Sequence, residues 1–292
     1  MAVSSSNSSL SSTRKETAEV YKLSFGDLHL KKLLGSGAFG KVYKASLNDE
    51  TYAVKVITKN DDHMFENEVG ILKEASVRNH PYIISYFGHE MPEWGNGEIG
   101  VIFFELLPQG TLTNYMLEAG GCLNNADAWN FFEQIADGLA YLHAIGIFHG
   151  DIKPDNILMR SSSQIVITDF GLAEYAPDPR AVPYFDAEAG SKSFLPPELF
   201  KKKGCFADAC DLWAATITMV VMSIGAFPWE EAVEENEYFK DFKNGIVVQQ
   251  FWCDLGQYQS AVLAMLHPNP RKRTRPSVYT QSLKEYRCLL KK

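Results

Sequence analysis

The stretch His149-Gly150-Asp151-Ile152-Lys153-Pro154-Asp155-Asn156, followed further on by Asp169-Phe170-Gly171, decides the reading of this chain. Between the two lie an apolar run, Ile157-Leu158-Met159, a polar turn, Ser161-Ser162-Ser163, and a second run, Ile165-Val166-Ile167. Two short apolar runs joined by a polar turn predict a β-hairpin. Such a hairpin carries Asn156 and Asp169 toward the same end. Two oxygen ligands brought together suit a hard cation such as magnesium, which takes few protein carboxylates and shares the rest of its shell with phosphates. Asp151 and Lys153 stand two apart on one loop, so a base and a cation can reach one reacting centre. Phosphoryl transfer needs this combination of positioning and charge neutralisation.

A chain of 292 residues can bury one large core or two smaller lobes. Hydrophobic residues at 46% with 22% charged describe an ordinary globular protein. A net charge of −8 argues against a nucleic-acid-binding body, which is usually basic. Cys122, Cys205, Cys210, Cys253 and Cys288 form an odd, scattered set without Cys-x-x-Cys spacing, read as reduced thiols in the cytoplasm or nucleus and not as a disulfide frame or zinc site. Met1 to Ser12 is Ser-rich without the apolar core of an export signal. The charge-free run Leu212 to Trp229 falls short of the ~20 apolar residues that span a bilayer, and reads as a buried core helix.

Residues 1–20 are expected to be a disordered Ser-rich tail. From Phe25 the texture is β-like, and Asp62 to Ser76 reads as a helix with Phe65, Val69, Leu72 and Ala75 on one face. A β pair is expected at Ile83-Ile84 and Val101-Ile102-Phe103-Phe104, joined by an exposed loop near Pro92 to Gly97. Helices dominate after Pro108-Gln109-Gly110. Ala126 to Ile145 places Trp129, Phe132, Ile135, Ala136, Leu139 and Leu142 on one stripe. Strands first and helices afterwards predict an α+β protein of two lobes.

The glycines Gly35, Gly37 and Gly40, with Val42 beyond, also fit dinucleotide-binding folds. Those folds need a helix directly after the glycines, whereas Val42 to Ala45 reads as a strand and a second strand carries Ala53-Val54-Lys55. A glycine-rich hairpin lays backbone N–H groups over phosphates without side chains in the way. A lysine on an alternating strand is ordinarily a solvated side chain. Lys55 gains a role only if an acid orients it.

Together these motifs resemble those of the eukaryotic protein kinases of serine/threonine type. The likeness covers residues 26–289 and implies a bilobal kinase fold. The small N-terminal lobe of β-sheet with one main helix would span about 26–104, the hinge 105–110, and the larger helical lobe 111–289. It implies transfer of the ATP γ-phosphoryl group to protein hydroxyls, with ATP and Mg2+ as cofactors and protein substrates as partners, and with no nucleic acid or membrane. By resemblance Leu34, Gly35, Gly37 and Gly40 cover the nucleotide. Adenine lies between Val42, Ala53 and Leu158, bonded to the backbone of Glu105 and Leu107, with Phe104 at the rear. Lys55 pairs with phosphates, oriented by Glu68, or else by Glu66. Asp151 accepts or orients the substrate hydroxyl proton, Lys153 steadies the transferring phosphoryl group, and Asn156 and Asp169 hold magnesium. Phe170 and Gly171 complete the metal turn, with Phe170 and His149 packed inside the lobe. Ser191 bonds the catalytic pair, Glu198 is buried against Arg273, and Asp211 anchors the catalytic loop, although a simple N-cap also accounts for an Asp there.

Two departures stand out. Pro196 replaces the family's usual alanine, and Gly150 replaces the arginine that binds a phosphorylated activation loop in most regulated members. Loop phosphorylation is therefore not expected to be the main on-switch. The rival is a pseudokinase scaffold of the same fold. His80-Pro81, Gly88-His89, Tyr141-Leu142-His143 and Phe227-Pro228-Trp229-Glu230 are similar to checkpoint effector kinases of the calcium/calmodulin-kinase-like branch. Glu230, Glu231, Glu234 and Glu235 suggest basic substrates, although such a run is ordinarily a solvated face.

Overall fold

β-Branched and aromatic residues at alternate positions make the first third of the chain a sheet. The computed structural model describes residues 20–37, 40–58, 62–91, 99–176, 185, 190–201, 206–246 and 249–290. Strands β1 (Val20–Leu23), β2 (Gly26–Gly37), β3 (Gly40–Leu47) and β4 (Glu50–Thr58) run antiparallel in sequence order, and helix α1 (Asp62–Ser76) follows. β5 (Tyr86–Glu90) and β6 (Ile99–Phe104) complete a six-stranded sheet ordered β1-β2-β3-β4-β6-β5. The helix face expected from the sequence is buried: Phe65, Val69, Leu72 and Ala75 all join the main core.

Helices then take over, with α2 (Leu112–Glu118) and the long α3 (Asn125–Ala144), whose first N–H groups are capped by the Asn124 side chain. α3 is buried on more than the expected stripe, because Phe131, Ala140 and Tyr141 are covered as well. Trp129 stays half-exposed and stacks on Tyr258. β7 (Ile147–Phe148) pairs with β10 (Glu174–Tyr175), and β8 (Ile157–Ser161) with β9 (Gln164–Ile167). α4 (Pro197–Phe200), α5 (Ala207–Ile224), α6 (Glu237–Lys243), α7 (Gln249–Cys253), α8 (Gln259–Met265) and α9 (Ser277–Leu290) finish the chain. By length and apolarity α5 could cross a membrane, but 83% of it is buried inside the protein, as a core helix would be.

Three expectations need correction. The strand beside β6 is Tyr86–Glu90, not Ile83-Ile84. Those isoleucines are apolar because they pack at the lobe junction, where Ile84 N donates to Ile167 O at 3.0 Å and Ile167 N to Tyr82 O at 2.8 Å. α5 begins at Ala207 with Phe206 as its N-cap, so Asp211 is no cap and its carboxylate serves elsewhere. Cys210 is disulfide-bonded, while Cys122, Cys253 and Cys288 are free and exposed. A disulfide depends on proximity in space, which spacing along the chain does not reveal. The tail expectation for residues 1–20 lies outside the described residues apart from Val20 in β1, as does the Pro92 to Gly97 loop.

The lobe junction also carries a proton-sensitive contact. His80 Nδ1 accepts the Tyr82 N–H at 3.3 Å, which puts the ring proton on Nε2, 2.8 Å from Tyr286 Oη. Tyr286 donates onward to Asp137 at 3.1 Å. A second proton on Nδ1 would point at another N–H, and burial holds the ring down to about 4 against the pull of Asp137. A depressed histidine stabilises the fold above its ordinary value of 6.5, and that stability is lost as pH falls toward 4. The span corresponds to about 3 kcal/mol. Denaturant unfolding at a series of pH values is expected to show this decline in the parent protein and a shallower one in His80→Gln.

Candidate active site

The glycine-rich segment forms a hairpin, not the helix turn of a dinucleotide fold. β2 and β3 pair with Gly35 opposite Val42 and Gly37 opposite Gly40. Gly40 has φ of +128°, and a Cβ there would lie 2.5 Å from Val56 O, so only glycine fits beneath the turn. At Gly35 and Gly37 a Cβ would meet nothing, so their backbone borders open space. Leu34 is exposed beside them.

β4 registers Lys55 opposite Val42 on β3, and Ala53 opposite Phe104 on β6. Val42, Ala53 and Leu158 are half-buried, Phe104 is buried, and Glu105 and Leu107 follow it half-buried. The side chain of Glu105 is engaged away from the backbone. It accepts the Ser85 N–H at 2.9 Å and pairs with Arg160 of β8. Burial opposes its charge, but the bonds from Arg160 and Ser85 hold its carboxyl below the usual range. Arg160 was not legible as a site residue; nothing in its local pattern distinguishes it from a solvated strand arginine.

Lys55 is buried and lies 2.7 and 2.8 Å from the two carboxylate oxygens of Glu68 on α1, and 2.9 Å from Asp169 Oδ1. Glu68 is thus the orienting acid, and not Glu66. Burial alone would lower the Lys55 ammonium, but Glu68 and Asp169 outweigh it and hold it above its ordinary value. Burial opposes the charge on Asp169 as well, and Lys55 reverses that effect, so its carboxyl titrates below the usual range. Asp169 has φ of +64°, a left-handed conformation uncommon outside glycine and a mark of a position held by its surroundings. Asn67 of α1 adds a bond to Ala173 O at 3.2 Å, tying the helix to the residues after Phe170-Gly171.

The catalytic loop hangs from α5. The Asp211 carboxylate accepts the N–H groups of His149 and Gly150, both at 2.8 Å. It also contacts His143 Nε2 at 2.8 Å, and His143 Nδ1 lies 2.9 Å from Tyr279 Oη of α9. Burying that carboxylate is tolerable because two backbone N–H groups donate to it and His143 Nε2 faces it. His143 and Tyr279 were missed in the sequence, where the one signal was a polar residue on the buried stripe of α3. His149 and Phe170 are fully buried with ring centroids 5.1 Å apart, consistent with packing roles.

Asp151 accepts hydrogen bonds from Lys153 Nζ at 2.7 Å, from Asn156 Nδ2 at 2.8 Å and from the Ser191 N–H at 3.3 Å. Lys153 also reaches Ser191 Oγ at 2.8 Å. Asn156 Nδ2 further contacts the Asp151 carbonyl at 2.9 Å, so the amide nitrogen is committed and the amide oxygen remains as a cation ligand. Among the described residues no group of three or more His, Cys, Asp or Glu could cage an ion alone. One carboxylate and one amide oxygen fit magnesium shared with phosphates, and not a closed structural metal site. Glu198 and Arg273 form a doubly hydrogen-bonded pair at 2.6 Å each, with Arg273 also 4.5 Å over the Trp213 ring. Glu231 pairs with Lys192, and Glu234 with Lys243, which leaves less of the acidic run to attract basic substrates.

The family model for the protein kinase domain matches residues 28–284. The chain belongs to the protein kinase family. Similar proteins include the CBL-interacting serine/threonine-protein kinase 1 of Arabidopsis thaliana, 29% identical over 84% of this chain and 55% of that one. Another is the mitogen-activated protein kinase kinase kinase 17 of the same plant, 32% identical over 69% of this chain and 53% of that one. This kinase-family chain spans about half the length of the curated relatives it matches.

Proposed function

We propose that the chain is an ATP-dependent protein serine/threonine kinase. The observation that carries the reading is Lys55 holding Glu68 and Asp169 at once, which joins the sheet, α1 and the Asp-Phe-Gly turn around one cation. Lys55 then steadies the nucleotide's phosphates, and the glycine hairpin covers them with backbone. Magnesium, when bound by Asn156 and Asp169, supplies charge neutralisation along the phosphate tail. Asp151 receives the hydroxyl of the substrate in place of one of its present donors and orients it, taking its proton as the bond forms. Lys153 stabilises charge on the transferring group. The words serine/threonine in the relative's name support that class of acceptor. A net charge of −8 supports protein substrates over nucleic acid, and we place the protein in the cytoplasm or nucleus, the free thiols favouring this and the Cys210 disulfide opposing it.

The test is a transfer assay on the full chain with ATP and a generic protein, with and without magnesium. Magnesium-dependent phosphoserine or phosphothreonine is expected. A chain that binds ATP and transfers nothing would be the scaffold instead, and phosphotyrosine would contradict the acceptor class.

A further inference from the structure

Gly150 has φ of +78°, and a Cβ there would lie 2.8 Å from Leu172 O and 3.3 Å from the ring of Phe185. The absence of a side chain at Gly150 lets the Phe185 ring approach this close. Phe185 comes from the segment between Asp169 and Glu198, and its half-buried ring joins two clusters. On one side it packs with Leu195, Leu199 and Cys210, and on the other with Phe148, Ala176 and Ala207. One ring thereby touches the catalytic loop, α5 and the residues that lead into α4. The same segment returns close by: a Cβ at Gly190 would lie 3.3 Å from Gly150 O, and Ser191 bonds Asp151 and Lys153.

The charge around this contact points the same way. A cavity of about 120 Å³ lies under the segment, bordered by Gly150, Phe185 and Ser191. Among the described residues, the charged side chains lining it are Asp151, Glu174 and Asp211, all acidic. A phosphate in this cavity would face, among the described residues, carboxylates and no guanidinium, and Lys153 beside it is already committed to Asp151 and Ser191. An apolar anchor avoids that repulsion.

We propose that Phe185 is a positioning residue, which seats the Gly190–Pro196 stretch against the catalytic loop by apolar packing over Gly150 and without phosphorylation. The proposal rests on the kinase reading for its consequence, since a seated Ser191 is what holds Asp151 and Lys153 in register for a protein hydroxyl.

Hydrogen exchange on the phosphatase-treated full chain tests the seat independently of activity. In Phe185→Ala, exchange at the amides of Ser191, Phe194 and Leu195 is expected to rise by about tenfold or more, with α3 unchanged. Phe185→Leu is expected to stay within about threefold of the parent. In the transfer assay Phe185→Ala should lower kcat/KM for protein substrate by about tenfold while leaving KM for ATP unchanged within about twofold. Unchanged exchange at the three amides in Phe185→Ala overturns the proposal. So does a rise shared equally by α3, which would make the ring a merely structural residue, or protection that appears in the parent only after phosphorylation. A parent that transfers no phosphate would sink the kinase reading, while the exchange pattern would still decide the seat.

Discussion

Asp151→Asn is expected to lower kcat for protein phosphorylation by about a thousandfold or more, with Mg–ATP affinity retained. All the side-chain hydrogen bonds recorded for Asp151 are accepted, from Lys153, Asn156 and the Ser191 N–H. An amide has one donating end, so the variant must turn an N–H toward one of these donors or rotate away from the hydroxyl it serves. It also loses the charge that receives a proton. Lys55 and Asp169, the partners proposed for the nucleotide, lie on other elements and keep their contact at 2.9 Å. Steady-state kinetics beside a calorimetric ATP titration separates the two effects. A fall in ATP affinity as large as the fall in kcat would show that Asp151 holds nucleotide and does not orient the acceptor.

The second large effect falls on stability. Arg273 and Glu198 are almost fully covered and share two hydrogen bonds, and the guanidinium also donates from Nε to His267 O at 2.9 Å. Arg273→Ala removes the guanidinium that gives this carboxylate both hydrogen bonds, and takes a stacked group from Trp213. A loss of about 3–5 kcal/mol is expected from denaturant unfolding. The double variant Arg273→Met, Glu198→Gln should recover a good part of it, because the buried carboxylate that Arg273 served is then gone as well. Equal losses in the single and double variants would mean that packing, and not charge, sets the cost.

The parts legible in the sequence were those with a local signature. The helix Asp62–Ser76 carried its period in Phe65, Val69, Leu72 and Ala75, and the hairpin between Asn156 and Asp169 carried its turn. Glu198 and Arg273, 75 residues apart, carry no local signature and were paired in advance only through the family resemblance. What stayed hidden depended on contacts across the fold. Arg160 and His143 look like ordinary strand and helix residues until β8 meets the hinge and α3 meets α5. Phe185 has no pattern of its own, and it matters only because Gly150 leaves room. Ile83-Ile84 misled for a related reason: burial at a lobe junction and burial in a strand select the same residues.

The account turns on Lys55, Asn156 and Asp169 meeting at one phosphate tail. Titrating Mn2+ as a magnetic-resonance probe into the ATP complex of the full chain tests that meeting directly. A single ternary site is predicted in the parent, weakened by about tenfold or more in Asp169→Asn and again in Asn156→Ala. Metal affinity in the ATP complex that neither substitution changes would contradict the account.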